Sequence, residues 1–195
     1  MSINKKVFLI IGMVLFVLSS VITIYVAANF KDYGHKTARN NAVVLAGAVR
    51  DGLTAHMVNG IMDKREYYLS NIVKNQDIEN IKIVRSNSVI SQYGKGKTSE
   101  SEYDALQSKV LNTGKEESVV IEKNGKKFLR IAIPYMAGET SSPNCIDCHT
   151  AKIGDVLGAI SMDVSLEETI KDGIDIVTKL AIFAVVFFVI AILVA

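Results

Sequence analysis

The chain is predicted to be an α+β domain with an antiparallel sheet and a long N-terminal helix, flanked by two transmembrane helices. Three observations predict this. Two uncharged apolar runs bracket a polar middle. A spacing of three and four between apolar residues follows the first run, and alternation with a period of two then takes over in short segments separated by helical ones.

The first run, VFLIIGMVLFVLSSVITIYVAA over residues 7–28, is long enough to cross a bilayer as a helix. It follows a basic tail, residues 1–6, whose Lys5 and Lys6 place the N-terminus in the cytoplasm by the positive-inside bias. The second run, LAIFAVVFFVIAILVA, begins just after Lys179 and ends the given sequence, within a predicted transmembrane helix over residues 179–195. The domain between them, residues 29–178, is then extracytoplasmic and has the size of one compact unit. A cleaved secretory signal, cut near Val26-Ala27-Ala28, is the competing reading of the N-terminus, and it leaves the domain exported as well.

Ala42, Leu45, Ala46, Val49, Leu53, His56, Met57 and Gly60 mark one stripe of a long helix leaving the membrane. A shorter helix is expected over residues 64–74, with Tyr68, Leu69, Ile72 and Val73 inward. Residues 78–84 (IENIKIV) and 89–93 read as paired strands around a turn at 85–88, with a breaker at 94–97. A helix over 102–111 ends at Gly114. Residues 118–122 and 127–135 form a hairpin about Asn124-Gly125, a dipeptide suited to a tight turn. A loop over 137–154 leads to a last strand, 156–164, after which Ser165 N-caps a final helix.

A formal net charge of +2, with basic and acidic residues interspersed, points to no nucleic-acid partner. No serine, histidine and acid constellation or paired carboxylates suggest an enzyme. The chemistry lies in the loop, where Cys145-Ile146-Asp147-Cys148-His149 has the c-type haem attachment spacing. Two thiols three positions apart can each bond one porphyrin vinyl group, and the next histidine is delivered under the iron as proximal ligand. Three other readings compete: a thioredoxin-like dithiol, which needs a βαβ context; a structural zinc site, which needs about four ligands; and a small-ring disulfide that leaves His149 idle. Export agrees with haem c, one group attached covalently.

For the distal position the exported candidates are His35, His56, Met57, Met62, Met136 and Met162. Met57 is preferred because it lies on the helical stripe near Gly60; Met62 or His56 follow, and an open site is also live. Met62, five residues on, is expected on a different helix face. Arg65, Tyr68, Arg130 and Lys152 are candidates for pairing with the haem propionates, each with a solvated surface side chain as its alternative.

With those residues in hand, the order of anchor, long helix, IENIKIVRSNSVISQYGKG, EESVVIEKNGKKFLRIAIPYM and NCIDCHTAKIGDVLGAISMDVSLEE resembles the periplasmic haem-c sensor domains of bacterial methyl-accepting chemotaxis proteins, of PAS-like or single Cache type. The resemblance covers residues 31–176, most sharply the CxxCH loop and the strand before the last helix. It implies a PAS-like sheet of five or six antiparallel strands, haem near the loop between the last two strands, and a homodimer formed through the N-terminal helix. It also implies thioether roles for Cys145 and Cys148, the proximal role for His149 and a distal role for Met57, with the protein in the inner membrane and its sensor domain in the periplasm. The implied function is sensing of redox state, or of a small ligand such as NO or CO, in signal transduction and chemotaxis. The sequence given departs from full receptors in carrying no cytoplasmic signalling module after residue 195, so a fragment or a separate output partner is expected. The rival function is a membrane-anchored monohaem electron-transfer cytochrome, although such carriers usually place the motif early in a small all-α fold.

Overall fold

The computed structural model describes residues 3–74, 78–138 and 143–194. Met1, Ser2, the Ser141 and Ser142 of the predicted loop, and Ala195 lie outside the described residues. The chain divides into two compact units, Thr37–Leu166 and a second made of Met1–Lys36 with Glu167–Ala195. In the second unit Phe16 stacks on Phe188 with ring centroids 4.5 Å apart. Its helical segments carry the two stretches long and apolar enough to cross a membrane.

Helix α1 runs without interruption from Ile3 to Val58, so the first apolar run and the amphipathic stretch are one element. Its buried stripe is Ala38, Ala42, Ala46, Val49 and Leu53, spaced by three and four as predicted. Helix α1 ends before Gly60, where the amides of Gly60 and Ile61 turn back onto the carbonyls of Met57 and His56. A 3₁₀ turn at Met62–Lys64 then opens α2, Arg65–Lys74.

Strand β1, Ile78–Arg85, was expected; its partner was not. Residues predicted as a strand at 89–93 form helix α3, Asn87–Tyr93. The physical reason is local: the Ser86 hydroxyl accepts from the Val89 amide as an N-cap, and Val89, Ile90 and Tyr93 satisfy a helical spacing as well as an extended one. A short helix α4, Thr98–Ser101, follows within what reads as a breaker and loop. Helix α5, Ala105–Thr113, starts three residues later than predicted because Asp104 and Gln107 form a reciprocal capping box, and it ends at Gly114 as expected.

The hairpin is as predicted: β2, Glu117–Lys123, and β3, Lys126–Met136, with Asn124 and Gly125 both at positive φ. Strand β4, Val156–Ser165, keeps Ser165 in the ladder opposite Phe128, and the final helix α6 begins at Glu167. Among the described residues the sheet has four antiparallel strands in the order β1-β4-β3-β2, rather than five or six. The segment that would have supplied another strand is α3. Cross-strand register sorts the core onto two faces: Val84, Ala132 and Ala159 pack with Val110 of α5 on one, and Ile131, Ile160 and Met162 are buried on the other. The first face also buries Asp163, which Arg130 holds bidentately at 2.7 and 3.0 Å and Lys123 at 2.6 Å.

Candidate functional site

The Cys145-to-His149 segment sits in the connection between β3 and β4 and makes one tight turn. Asn144 begins it by accepting from the Ile146 amide, and the Cys145 carbonyl then takes the His149 amide at 3.0 Å. Two side chains three positions apart are thereby set one turn apart. No disulfide joins Cys145 to Cys148.

Both cysteines and His149 line one cavity of about 490 Å³ within the Thr37–Leu166 unit. Met57, from the end of α1, and Met62 line it too, as do Tyr93 of α3 and Tyr135 of β3. Two corrections follow. Met62 does not face elsewhere: the reversal at Gly60 returns it to the cavity that Met57 lines. His56 does not line it, since its Nδ1 is 2.7 Å from the Gly52 carbonyl of its own helix and its ring packs on Tyr68 at 5.2 Å. Met162 is buried in the sheet, Met136 stands exposed at the end of β3, and His35 belongs to the other unit.

Of the propionate candidates, Arg65 alone lines this cavity, with its guanidinium already on Glu100 at 2.5 Å. Tyr68 donates to the Ala48 carbonyl, Arg130 is engaged by Asp163 and Asp104, and Lys152 is an exposed loop residue. Three residues that sequence reasoning passed over also matter here. Gln92 and Tyr93, at the end of α3, both donate to the Cys148 carbonyl, Gln92 accepts the Thr150 amide at 2.8 Å, and the Tyr93 ring stands edge-on to the His149 ring at 5.2 Å. A capping Ser86 was the sequence signal for α3, but nothing local says that it grips a loop more than fifty residues away. Tyr135 carries a buried hydroxyl with no hydrogen-bond partner among the described residues, and burial pushes its ionisation well above the usual phenol range.

A porphyrin fits this donor set by four observations. The cavity lies inside the range of about 300–1,000 Å³ common for small-molecule sites. The two cysteines are not joined to each other as a disulfide. The His149 side chain lines the cavity, and its buried Nδ1 has no hydrogen-bond partner among the described residues. Burial also holds the His149 imidazole below its ordinary pKa, which favours the neutral form that binds metals. Among the described residues no group of three or more His, Cys, Asp and Glu is placed to hold a bare metal ion. No protein-family model matches the chain, and no curated protein matches it.

Proposed function

We propose that this protein is a membrane-anchored haem-c sensor of redox state or of a small gaseous ligand. Cys145 and Cys148 would hold one porphyrin, His149 would bind its iron, and Met57, or Met62 on the same cavity wall, would supply a second ligand. The observation that carries this is convergence: two cysteines in attachment spacing, the histidine that follows them and two methionines, from segments about ninety residues apart in sequence, line one cavity. Each thiol adds across one vinyl group, with sulfur bonding to one carbon and the proton going to the other, so attachment consumes no oxidant. When bound, the iron supplies a one-electron couple and a coordination position for ligands such as NO or CO.

The chain's own residues have separate tasks. Gln92 and Tyr93 hold the Cys148–Thr150 backbone and so set where the His149 imidazole points. Leu53 and Leu157 give the cavity an apolar wall, and Tyr135 adds a side chain whose hydroxyl is buried behind it. The loop continues directly into β4, which is paired on both sides, by β1 and by β3, and α6 begins two residues after β4 ends. A displacement at His149 is thus transmitted through an interior strand to the helix that carries the second apolar run. Signalling of this kind requires two discrete arrangements with different ligand affinity. Anchoring by α1 and α6 in the inner membrane, a PAS-like domain in the periplasm, a homodimer and a separate output module belong to the same proposal.

The test is an absorption spectrum of the exported, purified protein, oxidised and reduced, with the pyridine assay for thioether-bound haem. A mature protein that stays colourless ends the haem reading. Spin-label distances that are identical between β4 and α6 in oxidised and reduced protein end the redox-sensing part, and fast electron exchange with no spectral response to NO or CO favours the electron carrier.

A further inference from the structure

A second cavity, of about 480 Å³, shares Arg65 and Glu100 with the first. The partition between them is a charged triad. Glu100 is 5% exposed; Arg65 takes one of its carboxylate oxygens at 2.5 Å and Arg85, from the end of β1, takes the other at 2.7 Å. Arg65 also donates to the Met62 carbonyl at 2.6 Å, and Arg85 to the Gly94 carbonyl at 3.2 Å. No described residue accepts from Arg85 Nη2. The backbone of Gly96, at φ +68°, is pressed so closely on the triad that a Cβ there would collide with the Glu100 carboxylate and the Arg85 guanidinium.

Two guanidinium groups against one carboxylate leave one positive charge in a wall between a mainly apolar cavity, lined by Leu53, Met57, Val84 and Leu157, and a more polar one, lined by Asn80, Lys82 and Ser99. Neighbouring charges do not cancel it. Glu66 is paired with Lys97 at 2.6 Å, and Lys82 and Glu102, the remaining charged residues on the second cavity, offset each other formally. A buried charge of this kind is costly without a counter-ion, and guanidinium donors in a planar fork match a carboxylate. We propose that Arg65 and Arg85, held in place by Glu100, form a binding station for a carboxylate, and that its occupant is a propionate of the porphyrin attached at Cys145 and Cys148. The identity of the occupant rests on the haem reading above; the station itself does not.

The test uses the full chain with haem attached, comparing wild type with Arg85→Gln, Arg85→Lys and Arg65→Gln. The pyridine assay first establishes that each still carries thioether-bound haem. The midpoint potential is then followed between about pH 5 and 8, a window above the ordinary carboxylate range. Wild type is expected to give a flat profile, because the paired propionate stays ionised throughout. Arg85→Gln and Arg65→Gln are expected to give a potential that falls as pH rises, because the unpaired, buried propionate now titrates inside the window. Arg85→Lys keeps a charge and restores most of the flatness. A purely structural or long-range charge effect displaces the whole curve without changing its slope. The other titratable groups on the two cavities, Glu66, Lys82, Tyr93, Glu102, Tyr135 and His149, are present in every variant, as is Glu100, which keeps at least one guanidinium partner in each.

Superimposable slopes for wild type and both glutamine variants overturn the proposal. A second arm adds sodium acetate, with sodium chloride as control, and records thermal midpoints. No acetate-specific shift is expected in haem-loaded wild type, where the station is occupied. A shift that disappears in Arg85→Gln assigns the station to a free carboxylate and overturns the porphyrin as occupant. Should wild type prove colourless, the haem reading falls, while an acetate shift lost in Arg85→Gln still upholds the station and its absence removes it.

Discussion

The grip of α3 on the cysteine loop can be measured directly. Gln92→Ala removes two hydrogen bonds to the loop at once, the donation to the Cys148 carbonyl and the acceptance of the Thr150 amide, each 2.8 Å long, together with a longer donation to the Tyr93 hydroxyl at 3.3 Å. A neutral hydrogen bond contributes about 0.5–1.5 kcal/mol net, and these are solvent-exposed, so the lower half of that range applies. The pair is therefore worth about 1–2 kcal/mol, which at about 1.4 kcal/mol per tenfold corresponds to roughly five- to thirtyfold in a local opening equilibrium. Thr150 is the reporter, because its own amide proton is the one that Gln92 protects. Hydrogen exchange at that amide, in native conditions where opening is fast and exchange follows the equilibrium, is expected to accelerate by that factor while amides of the β3–β4 ladder do not change. Tyr93→Phe removes one hydroxyl and keeps the ring edge on His149, so about 0.5–1 kcal/mol and a two- to fivefold acceleration are expected. Exchange at Thr150 unchanged in Gln92→Ala refutes the clamp, and with it the role of α3 in aiming His149.

The remaining predictions concern charge, ligation and the cavity wall. Burial alone would raise the Asp163 carboxyl, but hydrogen bonds from Arg130 and Lys123 outweigh it and hold it below its ordinary value. A depressed folded-state pKa means that the network's contribution is fully present above the unfolded value of about 3.9 and is lost as pH falls through the folded one, so thermal midpoints should drop steeply only below about pH 4. Asp163→Asn should flatten that acid limb and cost about 2–3 kcal/mol at pH 7, less than the 3–5 of a fully buried broken pair, because Arg130 and Lys123 are 26% and 36% exposed and can turn to solvent. An acid limb that survives the substitution contradicts this. Met162→Ala should cost about 2–5 kcal/mol with no change in the haem spectrum, whereas Met57→Leu or Met62→Leu should cost under about 1.5 kcal/mol while one of them converts a six-coordinate spectrum to a five-coordinate one; spectra indifferent to both remove methionine as the distal ligand. Tyr135→Phe deletes a buried hydroxyl that has no partner, so the haem-free protein should be unchanged or stabilised by about 1 kcal/mol. A clear loss of stability would mean that the hydroxyl is bonded after all.

Much of this protein was legible from local patterns, because local physics decides them. The stripe Ala42-Ala46-Val49-Leu53 can bury one face only as a helix, and Asn124-Gly125 tolerates the positive φ values that a two-residue hairpin demands. The same local rules failed at residues 89–93, where a capping serine and a spacing compatible with either period made helix and strand equally consistent, and β1 remains the edge strand of the sheet. Proximity was the tertiary structure's contribution. The turn at Gly60 brings Met62 beside Met57 on one cavity, α3 reaches the Cys148 carbonyl, and two arginines from different elements meet on Glu100. None of these juxtapositions has a short-range signal, because each depends on how strand register and helix ends bring residues distant in sequence to the same few ångströms of space.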